Sequence, residues 1–158
     1  MKKMYIAQSV LLFIGSVFAG FTVYTDFSRF YNLYGEITKI SDCILPNPVI
    51  TPCFYGAFAF LIAFIWSLFI LRFPKERQII NQKRLNILLI ASTIFAWSNL
   101  SLETFSFYSK KTVTQVSCSG VPATNIFTTA CFIGSMLFLG SLIISLVINR
   151  KNISINKP

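Results

Sequence analysis

Four long apolar runs, separated by short charged stretches, constrain this chain more than any other feature of its sequence. They occupy positions 5–24, 54–71, 85–102 and 126–148, and none has a charged residue in its central part. Each is close to the length of roughly 20 apolar residues that a helix needs to cross a bilayer. In hydrocarbon a helix satisfies its own backbone hydrogen bonds, and the alternating pattern of membrane barrel strands is absent from the sequence. The runs therefore predict an all-α integral membrane protein with four transmembrane helices.

The composition agrees with a membrane protein and argues against a nucleic-acid-binding one. Only 12% of the residues are charged, against about 25% in a typical soluble domain, and the mean hydropathy is +0.67. The net charge of +9 would suit a nucleic acid. However, the basic residues lie in short runs between the apolar blocks. We therefore expect the lipid bilayer as a partner and no nucleic acid, and the sequence leaves the oligomeric state open.

The basic residues are unequally divided between the two sides of the predicted helices. The side that carries both termini has only Glu76 as an acid, whereas four acids balance the four basic residues of the other side. Because Lys and Arg mark cytoplasmic loops, we predict a bacterial-type plasma membrane with both termini cytoplasmic and the loops at about 25–50 and 103–125 outside. The basic residues on the terminal side are Lys2, Lys3, Arg72, Lys75, Arg77, Lys83, Arg84, Arg150, Lys151 and Lys157.

The second half of the chain repeats the first at an offset of 77 and then 78 positions. The pattern predicts a tandem duplication of a two-helix hairpin, and hence an antiparallel four-helix bundle with parallel repeats. A cleavable signal peptide at 5–24 is the alternative, but its counterpart at 85–102 lies in mid-chain. The matches are Phe18/Phe95, Ala19/Ala96, Asp26/Glu103, Phe30/Phe107 and Tyr31/Tyr108, then Cys53/Cys131, Phe54/Phe132, Gly56/Gly134, Phe60/Phe138, Ser67/Ser145, Leu68/Leu146, Ile70/Ile148 and Arg72/Arg150.

This repeat organises the chain as a single membrane domain. Repeat 1 covers about 5–72, a basic cytoplasmic connector 73–84, repeat 2 about 85–150 and a polar tail 151–158. Small residues that let helix backbones approach in lipid are expected at the helix contacts, and a lipid or quinone groove lined by phenylalanines is the alternative. They are Ala7, Gly15, Gly20, Gly56, Ala59, Ala63, Gly134, Gly140, Ser141 and Ser145.

Four cysteines, Cys43, Cys53, Cys118 and Cys131, lie on the predicted outer side or at its membrane boundary. An even number outside the cytoplasm is typical of disulfides. The duplication favours the pairs Cys43–Cys53 and Cys118–Cys131, and pairing between the repeats is left open. Four thiolates could also bind zinc, but an oxidising compartment opposes this, so we predict no metal site.

The outer cysteines also allow a redox function. The topology resembles the disulfide-bond formation protein B family, which has a cysteine pair in each outer loop. The set Cys43, Asn47, Pro48 and Cys53 resembles the first loop of the vitamin K epoxide reductase family. The resemblance implies thiol–disulfide exchange with a quinone. The chain departs from both families because it has no Cys-x-x-Cys pair.

Asp26 and Glu103 occupy equivalent places at the outer ends of the first and third runs. We expect them to be solvated or paired with a cation, and a repeat-related pair lining an outer cavity is the alternative.

Three functions follow from these residues. The leading expectation is a non-enzymatic scaffold or binding module with no cofactor, which presents its outer loops to a protein partner or lipid. The alternative is an oxidoreductase in which the four cysteines pass electrons to a quinone. The third is small-solute transport, which rests on Asp26 and Glu103 alone.

Overall fold

The computed structural model describes residues 2–36, 47–109 and 125–155, and within these ranges the regular structure is entirely helical. A short 3₁₀ helix precedes the second and the fourth long helix, at Pro48–Ile50 and Ile126–Thr128. The four long helices are α1 (Lys2–Tyr34), α2 (Pro52–Arg72), α3 (Lys75–Ser109) and α4 (Ala130–Ile155).

The four helices pack around a shared core. Helix α1 contacts α2 and α4, and α3 contacts α4 and α2, while α2 and α4 also meet across the centre. A smaller cluster of Leu100, Phe107 and Ile126 lies towards the end of α3. The main core contains Tyr5, Leu12, Ala19, Phe60, Ala63, Ile70, Leu85, Leu89, Phe138 and Ile148.

Helices α1 and α3 are longer than the apolar runs that predict them. Helix α3 begins at Lys75, so most of the stretch 73–84 is its first turns rather than a loop. The chain turns only at Phe73 and Pro74, where Phe73 is extended because a residue that precedes proline disfavours the helical conformation. Helix α1 continues to Tyr34 and ends at Gly35, whose φ of 69° is the left-handed conformation of a helix C-cap.

All four helices are long and apolar enough to cross a membrane. Large apolar side chains such as Phe21, Ile87 and Phe105 are exposed, whereas Gln8 and Gln82 are buried. This distribution is the reverse of that in a soluble protein, whose polar side chains face outwards.

The small residues divide between contact and exposed positions. Gly15, Ala63, Ser141 and Ser145 are buried between helices, as predicted. Ala7 and Gly20 are exposed, so the prediction is wrong for these two.

Most residues that match across the two halves have the same burial, although Ala19 is buried and Ala96 only partly so. Leu12 and Leu89 are buried, as are Ser67 and Ser145, Phe60 and Phe138, and Ile70 and Ile148. The sequence correspondence is therefore also a correspondence of position in the fold.

Candidate functional site

The chain enters α2 and α4 through the same local structure. The Asn47 side chain accepts a hydrogen bond from the Val49 backbone N–H at 3.0 Å. Asn125, 78 positions later, accepts one from the Phe127 backbone N–H at 3.1 Å. Each asparagine thereby caps the short 3₁₀ helix that follows it.

A threonine follows each 3₁₀ helix and precedes the long helix. Thr51 Oγ1 donates to the Pro48 carbonyl at 2.7 Å, and Thr129 Oγ1 donates to the Ile126 carbonyl at 2.8 Å. The complete repeated pattern is therefore Asn-x-x-x-Thr-x-Cys-Phe-x-Gly, at 47–56 and 125–134. Sequence analysis found only its last four positions, although the asparagine and threonine repeat at the same offset.

The segments 47–56 and 125–134, which we call the two entrances, bring together one cysteine from each half of the chain. Cys53 is the second residue of α2 and Cys131 the second of α4, and their Sγ atoms lie 3.8 Å apart. The separation exceeds the roughly 2.05 Å of a disulfide bond. Cys131 is nevertheless disulfide-bonded in the structure. Cys43 and Cys118 lie outside the described residues, so the pairings Cys43–Cys53 and Cys118–Cys131 stay predictions.

Two acidic side chains lie beside the cysteine pair. Asp26 is 5% exposed and Glu103 8% exposed, so neither is solvated. The extension of α1 and α3 beyond the apolar runs explains this, because it keeps both acids within the packed helices. Both carboxyl groups interact electrostatically with Cys53. The other form of the expectation, pairing with a cation, agrees with the interaction of Asp26 with Arg29.

An apolar cavity of about 60 Å³ begins at the cysteines and leads into the molecule. At its inner end the rings of Phe60 and Phe138 are stacked, with centroids 3.7 Å apart and planes inclined by 14°. Nearly all of its lining residues come as repeat-related pairs, and Ser135 is the exception. The pairs are Phe18/Phe95, Ala19/Ala96, Thr22/Asn99, Pro52/Ala130, Cys53/Cys131, Gly56/Gly134 and Phe60/Phe138.

The cavity lies between the two halves of the chain, since residues 77 or 78 positions apart line it in pairs. Each half supplies one sulfur and one stacked ring. Gly56 and Gly134 lie one helical turn below the sulfurs and carry no side chain that would fill the space. The site can therefore bring two sulfur atoms together above a largely apolar, aromatic pocket.

The described residues contain no group of three or more His, Cys, Asp or Glu side chains that could hold a metal ion.

A second polar cluster, which sequence analysis missed, joins three helices nearer the chain termini. Gln82 Nε2 on α3 donates to Gln8 Oε1 on α1 at 3.0 Å and to Ser145 Oγ on α4 at 2.7 Å. Ser145 Oγ in turn donates to Asn86 Oδ1. All four side chains are buried. We call this set the inner polar cluster. Polar residues inside predicted membrane spans were the signal that could have identified it.

In comparisons with known proteins, no protein-family model, no curated protein and no solved structure matches the chain.

Proposed function

We propose that the four helices cross a bacterial-type plasma membrane, with both termini in the cytoplasm and the cysteine pair at the outer side. The exposed apolar side chains and the buried glutamines support insertion, because lipid favours apolar surfaces and polar groups that bond to each other. The excess of Lys and Arg at the end that carries both termini supports this orientation.

We further propose that the two halves arose by duplication of one hairpin. The support is the paired lining of the cavity, to which residues 77 or 78 positions apart contribute together. The matched asparagine and threonine caps at both entrances add to it.

For the activity, we propose a membrane thiol–disulfide oxidoreductase in which Cys53 and Cys131 are the redox pair. The observation that carries this proposal is the 3.8 Å between their sulfur atoms. A scaffold, which the sequence favoured, needs no such meeting of cysteines from two repeats.

The reaction balances with a lipid-soluble quinone as the electron acceptor. Thiols of a protein on the outer side first reduce the disulfide that holds Cys131 in the structure. The S–H bonds of reduced Cys53 and Cys131 then break, one S–S bond forms between them, and two electrons and two protons leave. The quinone takes up both electrons and both protons and becomes a hydroquinone. Thiols of a protein on the outer side then reduce the Cys53–Cys131 bond by exchange.

A redox titration tests this proposal. The protein, purified in lipid, is equilibrated with graded dithiol buffers, its thiols are trapped, and the disulfides are mapped by mass spectrometry. We expect a Cys53–Cys131 bond that opens between about −120 and −230 mV, where exchange catalysts lie. Adding a quinone should close it again. Cys53→Ser and Cys131→Ser should each abolish the bond, whereas Ser135→Ala, in the same cavity, should leave it intact.

The opposite result identifies a scaffold. Every disulfide then stays oxidised down to about −300 mV, as structural disulfides do, and no Cys53–Cys131 bond forms. In that case the cysteines form structural disulfides only. The protein is then a binding module for an outer protein or lipid.

A further inference from the structure

We infer that the inner polar cluster is a binding site for ordered water, which it holds between α1, α3 and α4. The site lies towards the end of the bundle that carries the chain termini, away from the cysteine pair. This inference goes beyond the proposed redox function and does not depend on it.

Three amide groups of the cluster each use one polar atom and leave the other without a partner. Gln82 Nε2 donates to both Gln8 Oε1 and Ser145 Oγ, and Ser145 Oγ donates to Asn86 Oδ1. Gln8 Nε2, Gln82 Oε1 and Asn86 Nδ2 are buried and have no hydrogen-bond partner among the described residues. Because buried polar groups in native proteins are nearly always paired, these three atoms call for a ligand.

The chemistry of the three atoms selects a ligand that both donates and accepts hydrogen bonds. Two of them are amide nitrogens, which donate, and the third is a carbonyl oxygen, which accepts. Turning all three amides over exchanges these roles but still leaves both donors and acceptors without partners. A metal cation could satisfy only the acceptors, and an anion only the donors. Water satisfies both, and a buried water molecule typically makes about three such bonds.

Burial limits the ligand to a small molecule. Gln82 and Ser145 are 0% exposed, Gln8 is 1% exposed and Asn86 5% exposed. The cluster is thus closed off from the surface of the bundle, so a lipid or a larger solute has no access to it. A single water molecule needs only a small space between polar partners.

Polar side chains continue from the cluster towards the ends of α1 and α4. Asn149 lies one helical turn beyond Ser145 on α4, and its Oδ1 atom is also buried without a partner among the described residues. One turn further on, Asn152 Nδ2 donates to Tyr5 OH at 2.9 Å. These groups offer hydrogen bonds to water along the way between the cluster and the helix ends.

The matching positions of the first half are polar and buried too, but they do not need a ligand. Ser9 Oγ donates to the Tyr5 carbonyl, and Ser67 Oγ donates to the Phe64 carbonyl. A hydroxyl group can be satisfied by its own helix in this way, whereas an amide has two polar ends to satisfy. The water is therefore expected beside the amides alone. The pairs at this level are Tyr5/Gln82, Ser9/Asn86 and Ser67/Ser145.

The test measures the transfer of magnetisation from water to side-chain amide protons by NMR. The whole chain, isotopically labelled and assigned by standard multidimensional spectra, is studied in lipid bilayers. We expect the amide groups of Gln8 and Asn86 to receive magnetisation from water, because each donates to a bound water molecule. The backbone N–H of Leu12, which is 0% exposed and one turn beyond Gln8, should receive none in the same time. This control detects any general opening of the helices to water.

Two variants show whether the amides share one site. Asn86→Leu replaces one partner of the water by an apolar side chain, so Gln8 should lose the transfer. Ser67→Ala is the matched control at the position that corresponds to Ser145. It removes a hydroxyl group that is satisfied within α2, and both signals should remain unchanged.

The wild-type measurement alone can overturn the inference, whether or not the variants fold. It does so if Gln8 or Asn86 receives no magnetisation from water, or if Leu12 receives as much as they do. Full transfer to Gln8 in a folded Asn86→Leu protein would also contradict a shared water site. None of these results affects the redox proposal, which the titration of the cysteines tests separately.

Discussion

Gly15 lies on α1 at the point where the ring of Phe60 comes closest to the helix backbone. A β-carbon at Gly15 would lie only 2.6 Å from Phe60 Cδ1, whereas one at Gly20 would have no neighbour within 4 Å. The Phe60 ring cannot move away freely, because it is buried and stacked on Phe138. The glycine at position 15 thus keeps the inner wall of the cavity in place.

Substitution of this glycine should therefore destabilise the protein. We expect Gly15→Ala to lower the free energy of unfolding by about 1–3 kcal/mol, since overpacking forces side chains from their favoured rotamers. Unfolding of the purified protein by a denaturing detergent measures the change. Gly20→Ala is the matched control on the same helix and should be neutral. Equal stability of the two variants would show that α1 does not approach Phe60 so closely.

At the scale of the element, polar side chains fix how α3 packs against its neighbours. Gln82 donates from one amide nitrogen to both α1 and α4, so the inner polar cluster joins three helices at one point. Apolar side chains alone give little preference for one helix rotation in lipid, because lipid is as apolar as they are. The cluster supplies that preference.

Loss of the central glutamine should loosen these contacts. We expect Gln82→Leu to destabilise the protein by about 1–2 kcal/mol, because two hydrogen bonds are lost and Gln8 Oε1 is left without its donor. Detergent-induced unfolding and crosslinking between α1 and α4 measure the effect. Gln78→Leu, one turn earlier, is the control, because Gln78 makes no side-chain hydrogen bond among the described residues. A Gln82→Leu protein as stable as this control would exclude the cluster as a determinant of packing.

The four helices could be predicted because a long run without charge has few other structures available to it. Their ends could not, since residues 25–34, 75–84 and 103–109 are polar enough to resemble loops, yet no proline or glycine interrupts them. This error placed Asp26 and Glu103 in solvent. The repeated Cys-Phe-x-Gly was visible in sequence, but the meeting of Cys53 with Cys131 was not, because helix packing rather than spacing along the chain decides it.

For the whole molecule, the hairpin arrangement places the charged and the sulfur-bearing ends at opposite poles. The termini and the turn at Phe73–Pro74 lie at one end, and the two entrances with their asparagine caps lie at the other. The orientation of the molecule in a membrane therefore decides which compartment reaches the cysteines.

Accessibility to a membrane-impermeant maleimide tests this orientation. In a variant whose four native cysteines are replaced by serine, Glu36→Cys should react in intact cells. Pro74→Cys should react only after the membrane is opened, because the positive side faces the cytoplasm. Both positions are exposed. Labelling of Pro74→Cys in intact cells would reverse the proposed topology and place the cysteine pair in a reducing compartment.

The two halves of the cavity have similar but not identical residues, so the surroundings of the two sulfur atoms differ. In a symmetric dimer of two identical hairpins, the two sulfur atoms would have identical surroundings. Neither could then differ from the other in reactivity. In one chain, Thr22 faces Asn99, and Arg29 corresponds to Ser106. Under the proposed redox function, the two sulfurs can therefore have different roles, with one receiving electrons from outside and the other passing them on.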